Sequence, residues 1–256
     1  MRSVITVTNQ KGGIGKSTTA HAIGAGYSSL KGFNTLLVDI DPQANLTIAT
    51  GAKREPNRST YELLTGKATA REIIQPIKDK LAIMPASNQL SRIGQELTET
   101  GKEYRLRETL EPILAEYDYI IIDTPPALSV LTVNALTIAN RVVIPAQADL
   151  FSLEAIKELA DTIGVVKKYT NPALTVEGVL LTRYQPRSIL TQELTDLIAE
   201  TASTLKTKVF STKIREAIAI KEAQAMHEDI FSYTPKSKVA SDYRAFFKEL
   251  TAREEI

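Results

Sequence analysis

Seven short runs rich in β-branched residues alternate with longer stretches of helical periodicity along this chain. The run at residues 119–122 reads Tyr-Ile-Ile-Ile, which is typical of a strand buried on both faces. Such strands form the middle of parallel sheets that helices cover on both sides. We therefore predict an α/β fold, a doubly wound and mostly parallel sheet flanked by helices. The predicted strands are residues 3–8, 34–40, 81–85, 117–123, 141–145, 176–182 and 208–214, and the predicted helices include residues 16–31, 103–116, 152–168 and 191–204.

The composition narrows the kinds of site that the chain can carry. It has 256 residues, a formal net charge of +1 and no cysteine, which excludes disulfides, thiolate metal sites and iron–sulfur clusters. Because the charge is balanced, any site for a polyanion has to be local. The first residues lack the pattern of an export signal, and no apolar stretch approaches the ~18 residues of a membrane span. We expect a cytoplasmic protein without a membrane-spanning segment.

A glycine-rich segment joins the first predicted strand to the first predicted helix. It reads Lys11-Gly12-Gly13-Ile14-Gly15-Lys16-Ser17-Thr18. Glycines let backbone N–H groups converge on a phosphate, and the N-terminus of the following helix adds further donors. A lysine here can reach the β- and γ-phosphates, and the serine hydroxyl after it can bind Mg²⁺. The usual phosphate loop begins with glycine where this chain has Gln10, so the segment is a variant; an incidental flexible loop is the alternative.

Three aspartates follow predicted strands. The second strand ends in Asp39-Ile40-Asp41, and Asp123 ends the strand at residues 117–123. The carboxyl ends of parallel strands form the edge where open α/β sheets bind ligands. Carboxylates at that edge can hold Mg²⁺ through its hydration shell or orient a water molecule. A single aspartate there is often only a turn former, but three beside a phosphate loop favour metal chemistry.

Together, three segments resemble the deviant Walker A, switch I and Walker B motifs of ParA/Soj-type partition ATPases. They are residues 11–18, residues 39–45 (Asp-Ile-Asp-Pro-Gln-Ala-Asn) and residues 117–126 (Tyr-Asp-Tyr-Ile-Ile-Ile-Asp-Thr-Pro-Pro). Weaker similarity extends over most of the chain. The resemblance implies a single P-loop ATPase domain over residues 1–256, with ATP and Mg²⁺ as cofactors.

The resemblance also implies a role for each matching residue. Lys11 would cross a dimer interface to the phosphates on the other subunit, and Lys16 would bind phosphates on its own. Asp41 would position the attacking water. The group around Mg²⁺ would be Ser17, Asp39 and Asp123. The other nucleotide-binding residues would be Gly12, Gly13, Ile14, Gly15 and Thr18, with Thr182 and Arg183 on the side of the nucleobase.

The implied function is the positioning of plasmid or chromosomal cargo by an ATP-bridged homodimer. Such a dimer binds double-stranded DNA without sequence preference and hydrolyses ATP slowly, and a ParB-like centromere-binding protein stimulates this hydrolysis. The protein would be cytoplasmic and associated with the nucleoid. Two alternatives remain: a MinD-like ATPase that cycles on membranes, and a nucleotide-gated scaffold. Against the first, we predict that the apolar stripe of Tyr243, Phe246, Phe247 and Leu250 packs on the core, and residues 253–256 carry carboxylates that anionic lipid would repel.

Basic residues near the C-terminus are candidates for DNA contact. Residues 206–248 contain nine basic groups against five acidic ones, although a solvated face of mixed charge is the alternative. The family commonly has arginine where this chain has Ala219 and proline where it has Arg215, so we expect the DNA contacts to have moved along the segment. The candidate DNA-binding residues are Lys213, Arg215, Lys221, Lys236 and Lys238.

Overall fold

The computed structural model describes residues 3–185 and 189–252, and the strands of these residues form one seven-stranded sheet. They are β1 (Ser3–Val7), β2 (Thr35–Asp39), β3 (Gln75–Lys78), β4 (Leu81–Met84), β5 (Tyr119–Asp123), β6 (Arg141–Ala146) and β7 (Thr175–Leu181). Their spatial order is β3-β4-β2-β5-β1-β6-β7. Only the pair formed by β3 and β4 is antiparallel among these strands. The predicted mostly parallel α/β sheet is confirmed.

Helices cover both faces of the sheet. They are α1 (Lys16–Ala25), α2 (Asn45–Ala49), α3 (Thr60–Leu64), α4 (Ala70–Ile73), α5 (Ile93–Glu96), α6 (Arg105–Leu110), α7 (Val130–Ile138), α8 (Leu150–Tyr169), α9 (Ile189–Thr204), α10 (Ile218–Ala225), α11 (Ile230–Tyr233) and α12 (Lys238–Thr251). A π-helical turn, Gly26–Leu30, continues α1, and 3₁₀ turns occupy Asn88–Arg92, Lys102–Tyr104 and Glu111–Ile113.

Alternate residues of the central strands enter different parts of the core. In β2, Leu37 packs in the cluster that contains Tyr27 and Tyr243 from the α1 and α12 face. Its neighbours Leu36 and Val38 pack in the cluster of the opposite face, with α6 and α7. Because side chains of a strand point alternately to the two faces, a strand covered on both sides needs apolar residues at every position. This explains the continuous apolar runs in the sequence.

The register of the central strands brings the predicted site residues to one edge. Asp39 at the end of β2 pairs with Asp123 at the end of β5, and Asp123 pairs with Val7 at the end of β1. The glycine-rich segment that follows β1 and the turn that follows β2 therefore leave the sheet side by side. The three aspartates and the phosphate loop lie at this common edge, as predicted.

The prediction of a strand at residues 208–214 is wrong. One isolated parallel bridge, Val179 to Val209, and a backbone hydrogen bond from the N–H of Ile214 to the carbonyl of Leu181 join this segment to β7. The carboxylate of Glu249 on α12 accepts hydrogen bonds from the backbone N–H groups of Ser211 and Thr212 at 2.9 and 3.0 Å. Because the N–H of Thr212 is bound by a helix side chain and the Leu181 carbonyl accepts from Ile214 instead, the segment does not extend a regular ladder along β7.

The sequence prediction also differs from the structure in two smaller elements. The antiparallel edge strand β3 was not predicted, since Pro76 and its polar neighbours do not read as a strand; proline is tolerated at a sheet edge. The predicted helix at residues 103–116 is divided into α6 and two 3₁₀ turns. Pro112, which lacks an N–H group, lies in the second of these turns.

The C-terminal helix packs against the core rather than presenting an apolar face. Tyr243, Phe246, Phe247 and Leu250 of α12 are buried in the cluster around α1, which confirms that prediction. Among the described residues, none of the helices is both long and apolar enough to cross a membrane. Residues 253–256, whose carboxylates were weighed against membrane binding, lie outside the described residues.

Candidate functional site

The glycine-rich segment forms an open loop between β1 and α1. Gly13 and Gly15 have φ values of +74° and +84°, a backbone conformation that favours glycine. Gly15 is also the N-cap of α1, and no side chain caps the helix there. The first N–H groups of α1 are thus available to a ligand, in the manner of helix N-termini that bind phosphate. The loop borders a cavity of about 490 Å³.

Two buried polar side chains hold the loop against β6. The Thr182 hydroxyl donates to the carbonyl of Ile14 at 2.8 Å and lies 3.2 Å from that of Ala146. The Asn9 amide donates to the carbonyl of Pro145 at 2.7 Å, and its oxygen accepts from the N–H of Lys11 at 3.2 Å. The hydroxyl of Thr182, which the sequence analysis places on the nucleobase side, therefore holds the phosphate loop through the carbonyl of Ile14. Asn9 was not singled out from the sequence.

The two lysines of the loop bind protein groups of their own chain. Lys16 Nζ donates to the backbone carbonyl of Lys11 at 2.9 Å. Burial lowers the pKa of Lys16 below its ordinary value, although Asp123 and Asp41 oppose that shift. Lys11 Nζ donates to Oε1 of Gln147 at 3.1 Å and forms an ion pair with Asp149. A role of Lys11 on another subunit stays a prediction.

Asp123 is buried, and neither of its carboxylate oxygens has a hydrogen-bond partner within the described part of the chain. Burial raises its pKa well above the ordinary value and Asp39 raises it further, while the nearby Ser17 side chain, which forms no hydrogen bond of standard geometry with it, lowers it. A buried, unpaired carboxylate beside a hydroxyl suits a hard cation that prefers oxygen ligands. The residues present therefore fit Mg²⁺.

Asp39 has a different environment from Asp123. Its Oδ1 accepts from the N–H of Asp41 at 3.0 Å, and its Oδ2 accepts from the N–H and hydroxyl of Thr47 at 2.8 and 2.7 Å. Burial raises its pKa to about 6, against these hydrogen bonds. Asp39 thus holds the turn between β2 and α2 in place. Whether it also takes part in the metal shell stays a prediction.

Asp41 faces the cavity. Its Oδ1 accepts from the N–H of Gln43 at 2.9 Å, and burial raises its pKa while the Lys16 charge lowers it. Ala44, just ahead of α2, has a φ of +53°, an unusual conformation for a residue with a side chain. Asp41 and Asn45 both line the cavity opposite the phosphate loop.

The far side of the cavity is formed by residues 214–224. Gln224 of α10 donates to the Thr18 hydroxyl at 3.0 Å, which joins this segment to α1. Arg183 has a φ of +49° and lies 3.5 Å from Glu216 in an ion pair. Sequence reasoning placed Arg183 here, but it missed Gln224, because only the fold brings α10 beside α1.

Comparison with known proteins adds to this geometry. The family described as "AAA domain" matches residues 2–176. "Sporulation initiation inhibitor protein Soj" of Bacillus subtilis is 39% identical over 98% of this chain and 99% of its own. "Chromosome partitioning protein ParA" of Myxococcus xanthus is 37% identical over 98% of this chain and 88% of its own.

The chain belongs to the ParA/Soj family of partition ATPases. A similar solved structure, cobyrinic acid a,c-diamide synthase from Mycobacterium smegmatis with bound ADP and magnesium, has a TM-score of 0.84 and 31% identity and covers 100% of this chain and 96% of its own. These ligands confirm, for proteins of this fold, the predicted cofactor pair of ATP and Mg²⁺.

The predicted DNA-binding residues of this ParA/Soj family member differ in their contacts with other side chains. The Arg215 guanidinium forms two hydrogen bonds with the carboxylate of Asp242, at 2.6 and 2.8 Å. Lys213 Nζ lies 4.6 Å from the centre of the Tyr184 ring. The remaining candidates are exposed and have no ion pair among the residues described; they are Lys221, Lys236 and Lys238.

Proposed function

We propose that this chain is a Mg²⁺-dependent ATPase that distributes plasmid or chromosomal DNA. Two ATP-bound copies join through their phosphate loops, bind DNA without sequence preference and separate after slow hydrolysis, which a ParB-like centromere-binding protein stimulates. Residues 1–256 act as one ATPase domain in this proposal. The observation that supports it most is the unpaired Asp123 carboxylate beside Ser17 at the foot of the phosphate loop.

The phosphate loop and its lysine bind the triphosphate. The N–H groups of the loop and of the first turn of α1 donate to the phosphates, and Lys16 exchanges the Lys11 carbonyl for a phosphate oxygen. Ser17 and Asp123 would hold Mg²⁺, which supplies positive charge to the phosphate oxygens when bound. The phosphate loop and Asp41 line the same cavity, so a bound triphosphate would share that cavity with Asp41.

Hydrolysis needs a positioned water and compensation of the charge that develops on the phosphate oxygens. Asp41 orients the water, and Asp39 fixes the direction of Asp41 by accepting its backbone N–H. Lys11 from the second copy brings a further cation to the γ-phosphate, in the way an arginine finger does.

DNA contact is assigned to the exposed lysines rather than to Arg215. Lys221, Lys236 and Lys238 have no ion pair in the described structure, whereas Arg215 already has a carboxylate partner that a DNA phosphate would have to displace. Each exposed lysine that meets a phosphate releases a counterion. A dimer doubles the number of such contacts, which is how a chain of net charge +1 can bind DNA.

The proposal is tested by DNA retention as a function of salt, with ATP and with ADP. We expect retention with ATP only and a steep loss with salt, and the Lys236→Ala variant should flatten the slope of log K against log salt by ~2 for a dimer with one contact per subunit. Lys157→Ala, which removes an exposed lysine of α8, is the control. Equal retention with ADP contradicts the proposal, and binding to anionic vesicles but not to DNA supports the membrane-cycling alternative.

A second measurement separates an ATPase from a nucleotide-gated scaffold. In single-turnover hydrolysis, we expect the Asp41→Ala variant to bind ATP but to cleave it at least ~100-fold more slowly than the wild type, since positioned acid–base groups contribute factors of this size. Equal rates for the two proteins would remove Asp41 from catalysis and support the scaffold.

A further inference from the structure

Lys11 is held by side chains of the segment that runs from the end of β6 into the first turn of α8. Its ammonium is paired with Oδ2 of Asp149, donates a hydrogen bond to Oε1 of Gln147 at 3.1 Å, and lies 5.9 Å from the centre of the Phe151 ring. The side chains of Lys11 and Asp149 are 23% and 34% exposed, so the pair is only partly covered by protein. Three contacts therefore direct this lysine toward its own subunit.

The two carboxylate oxygens of Asp149 have different partners. Oδ1 accepts from the N–H of Ser152 at 2.8 Å and caps the N-terminus of α8, while Oδ2 faces Lys11. Burial raises the pKa of Asp149, but hydrogen bonds from Lys11 and Ser152 outweigh that effect and hold this pKa below its ordinary value. The carboxylate is thus ionised at neutral pH, and the helix cap fixes its direction.

We infer that Asp149 is a positioning residue, which keeps Lys11 on its own subunit until a second ATP-bound copy supplies a stronger partner. This inference rests on the proposed function, in which Lys11 binds the phosphates of the other copy. In this inference, the Lys11 ammonium leaves Asp149 when it contacts a phosphate across an interface. The exchange is favourable against a triphosphate, which carries several negative charges, and unfavourable when the other pocket is empty.

The Asp149→Asn variant separates the two uses of the carboxylate. Asparagine caps helices as well as aspartate does, so α8 keeps its cap while Lys11 loses its ionic partner. A partly exposed ion pair changes an equilibrium constant by up to ~5-fold, and a dimer breaks two of them, so we expect the dimer association constant to rise by up to ~25-fold. Damage to the fold would lower this constant rather than raise it.

The experiment is sedimentation of the full chain at a fixed concentration of a non-hydrolysable ATP analogue and Mg²⁺. We expect the Asp149→Asn variant to dimerise at a lower protein concentration than wild type, and the Asp149→Glu variant, which restores the carboxylate, to return toward it. Asp161→Asn, at an exposed position of α8, is the matched control and should behave like wild type.

Lys11→Ala distinguishes failure of this inference from failure of the proposed function. If the Lys11→Ala variant binds the analogue as a monomer and does not dimerise, the role of Lys11 across the interface stands. If, in the same experiment, Asp149→Asn dimerises no better than wild type, Asp149 does not restrain Lys11 and the inference is wrong. If Lys11→Ala dimerises normally, the proposed role of Lys11 fails, and the inference fails with it.

Discussion

Replacement of Asp123 by asparagine should stabilise the protein without nucleotide. The carboxylate is buried and has no hydrogen-bond partner in the described residues, and an unsatisfied buried group costs ~1–3 kcal/mol, more when it is charged. Asn has nearly the same shape and no charge, so we expect the free energy of unfolding to rise by ~1–2 kcal/mol. For a chain of this size, that corresponds to an increase of ~2–8 °C in the midpoint of thermal unfolding.

The size of this effect should depend on pH in a definite direction. Burial, together with the Asp39 carboxylate, raises the pKa of Asp123 in the folded protein well above its value of 3.8 in the unfolded chain. The folded state then binds the proton more tightly, so the contribution of Asp123 to stability is fully present below pH 3.8 and is lost as pH rises toward the folded pKa. Each pH unit in that interval costs ~1.4 kcal/mol, and the advantage of the Asp123→Asn variant should be larger at pH 7.5 than at pH 5.

Nucleotide and Mg²⁺ should reverse the order of stability. A ligand at 100 times its dissociation constant stabilises the folded state by ~2.7 kcal/mol. If Asp123 helps to hold Mg²⁺, the variant loses most of the Mg²⁺-dependent part of this gain while the wild type keeps it. Urea denaturation with and without ATP analogue and Mg²⁺ measures both effects, with Asp161→Asn as the control. An Asp123→Asn variant that is less stable without nucleotide, or that is stabilised by Mg²⁺ as strongly as wild type, would refute this reasoning.

Three further substitutions test the surroundings of the site. Burial lowers the pKa of His21 to about 4, so this residue by itself removes ~2 kcal/mol of stability between pH 7 and pH 5, opposite in sign to the contribution of Asp123. Urea denaturation at the two pH values should therefore show the His21→Gln variant gaining ~2 kcal/mol relative to wild type at pH 5. Thr182→Val leaves the carbonyl of Ile14 without its hydroxyl donor, whereas that of Ala146 keeps the backbone N–H of residue 182. The change should cost ~1–3 kcal/mol and weaken nucleotide binding in a titration; unchanged affinity would mean that the loop does not need this support. Gly26→Ala would place a Cβ 2.6 Å from Phe247, so thermal unfolding should show a loss of ~1–3 kcal/mol, and an unchanged midpoint would contradict the close packing.

Local sequence patterns were enough to predict the sheet and the edge of the sheet at which the candidate site lies. The apolar run of β5 identifies a buried strand without reference to the rest of the chain, and Asp123 ends it. The glycines at 12, 13 and 15 and the lysine after them identify the phosphate loop in the same local way. In the structure, Gly13 and Gly15 do have positive φ. Because parallel strands end at one edge, these separate signals combine into a single site once the fold class is known.

The parts that the sequence did not predict depend on partners distant along the chain. The segment at residues 208–214 has the composition of a strand, but Glu249 of α12 takes the backbone donors that a ladder would need. Arg215 is basic in composition, yet Asp242 occupies its guanidinium. Asp149 is unremarkable in sequence, and it pairs with Lys11 only because β6 lies next to β1 in the sheet.

The two ionic features of the site favour different steps of the proposed cycle. Asp123 lacks a hydrogen-bond partner in the described structure, which favours the uptake of Mg²⁺ with nucleotide. The free-energy cost of leaving this buried, charged carboxylate unsatisfied exceeds ~1–3 kcal/mol. Lys11 already has a partner in Asp149, which opposes dimerisation, but a partly exposed pair contributes no more than ~1 kcal/mol. Nucleotide binding should therefore precede dimerisation, and the Asp149 contact is weak enough for a triphosphate on the second copy to displace it.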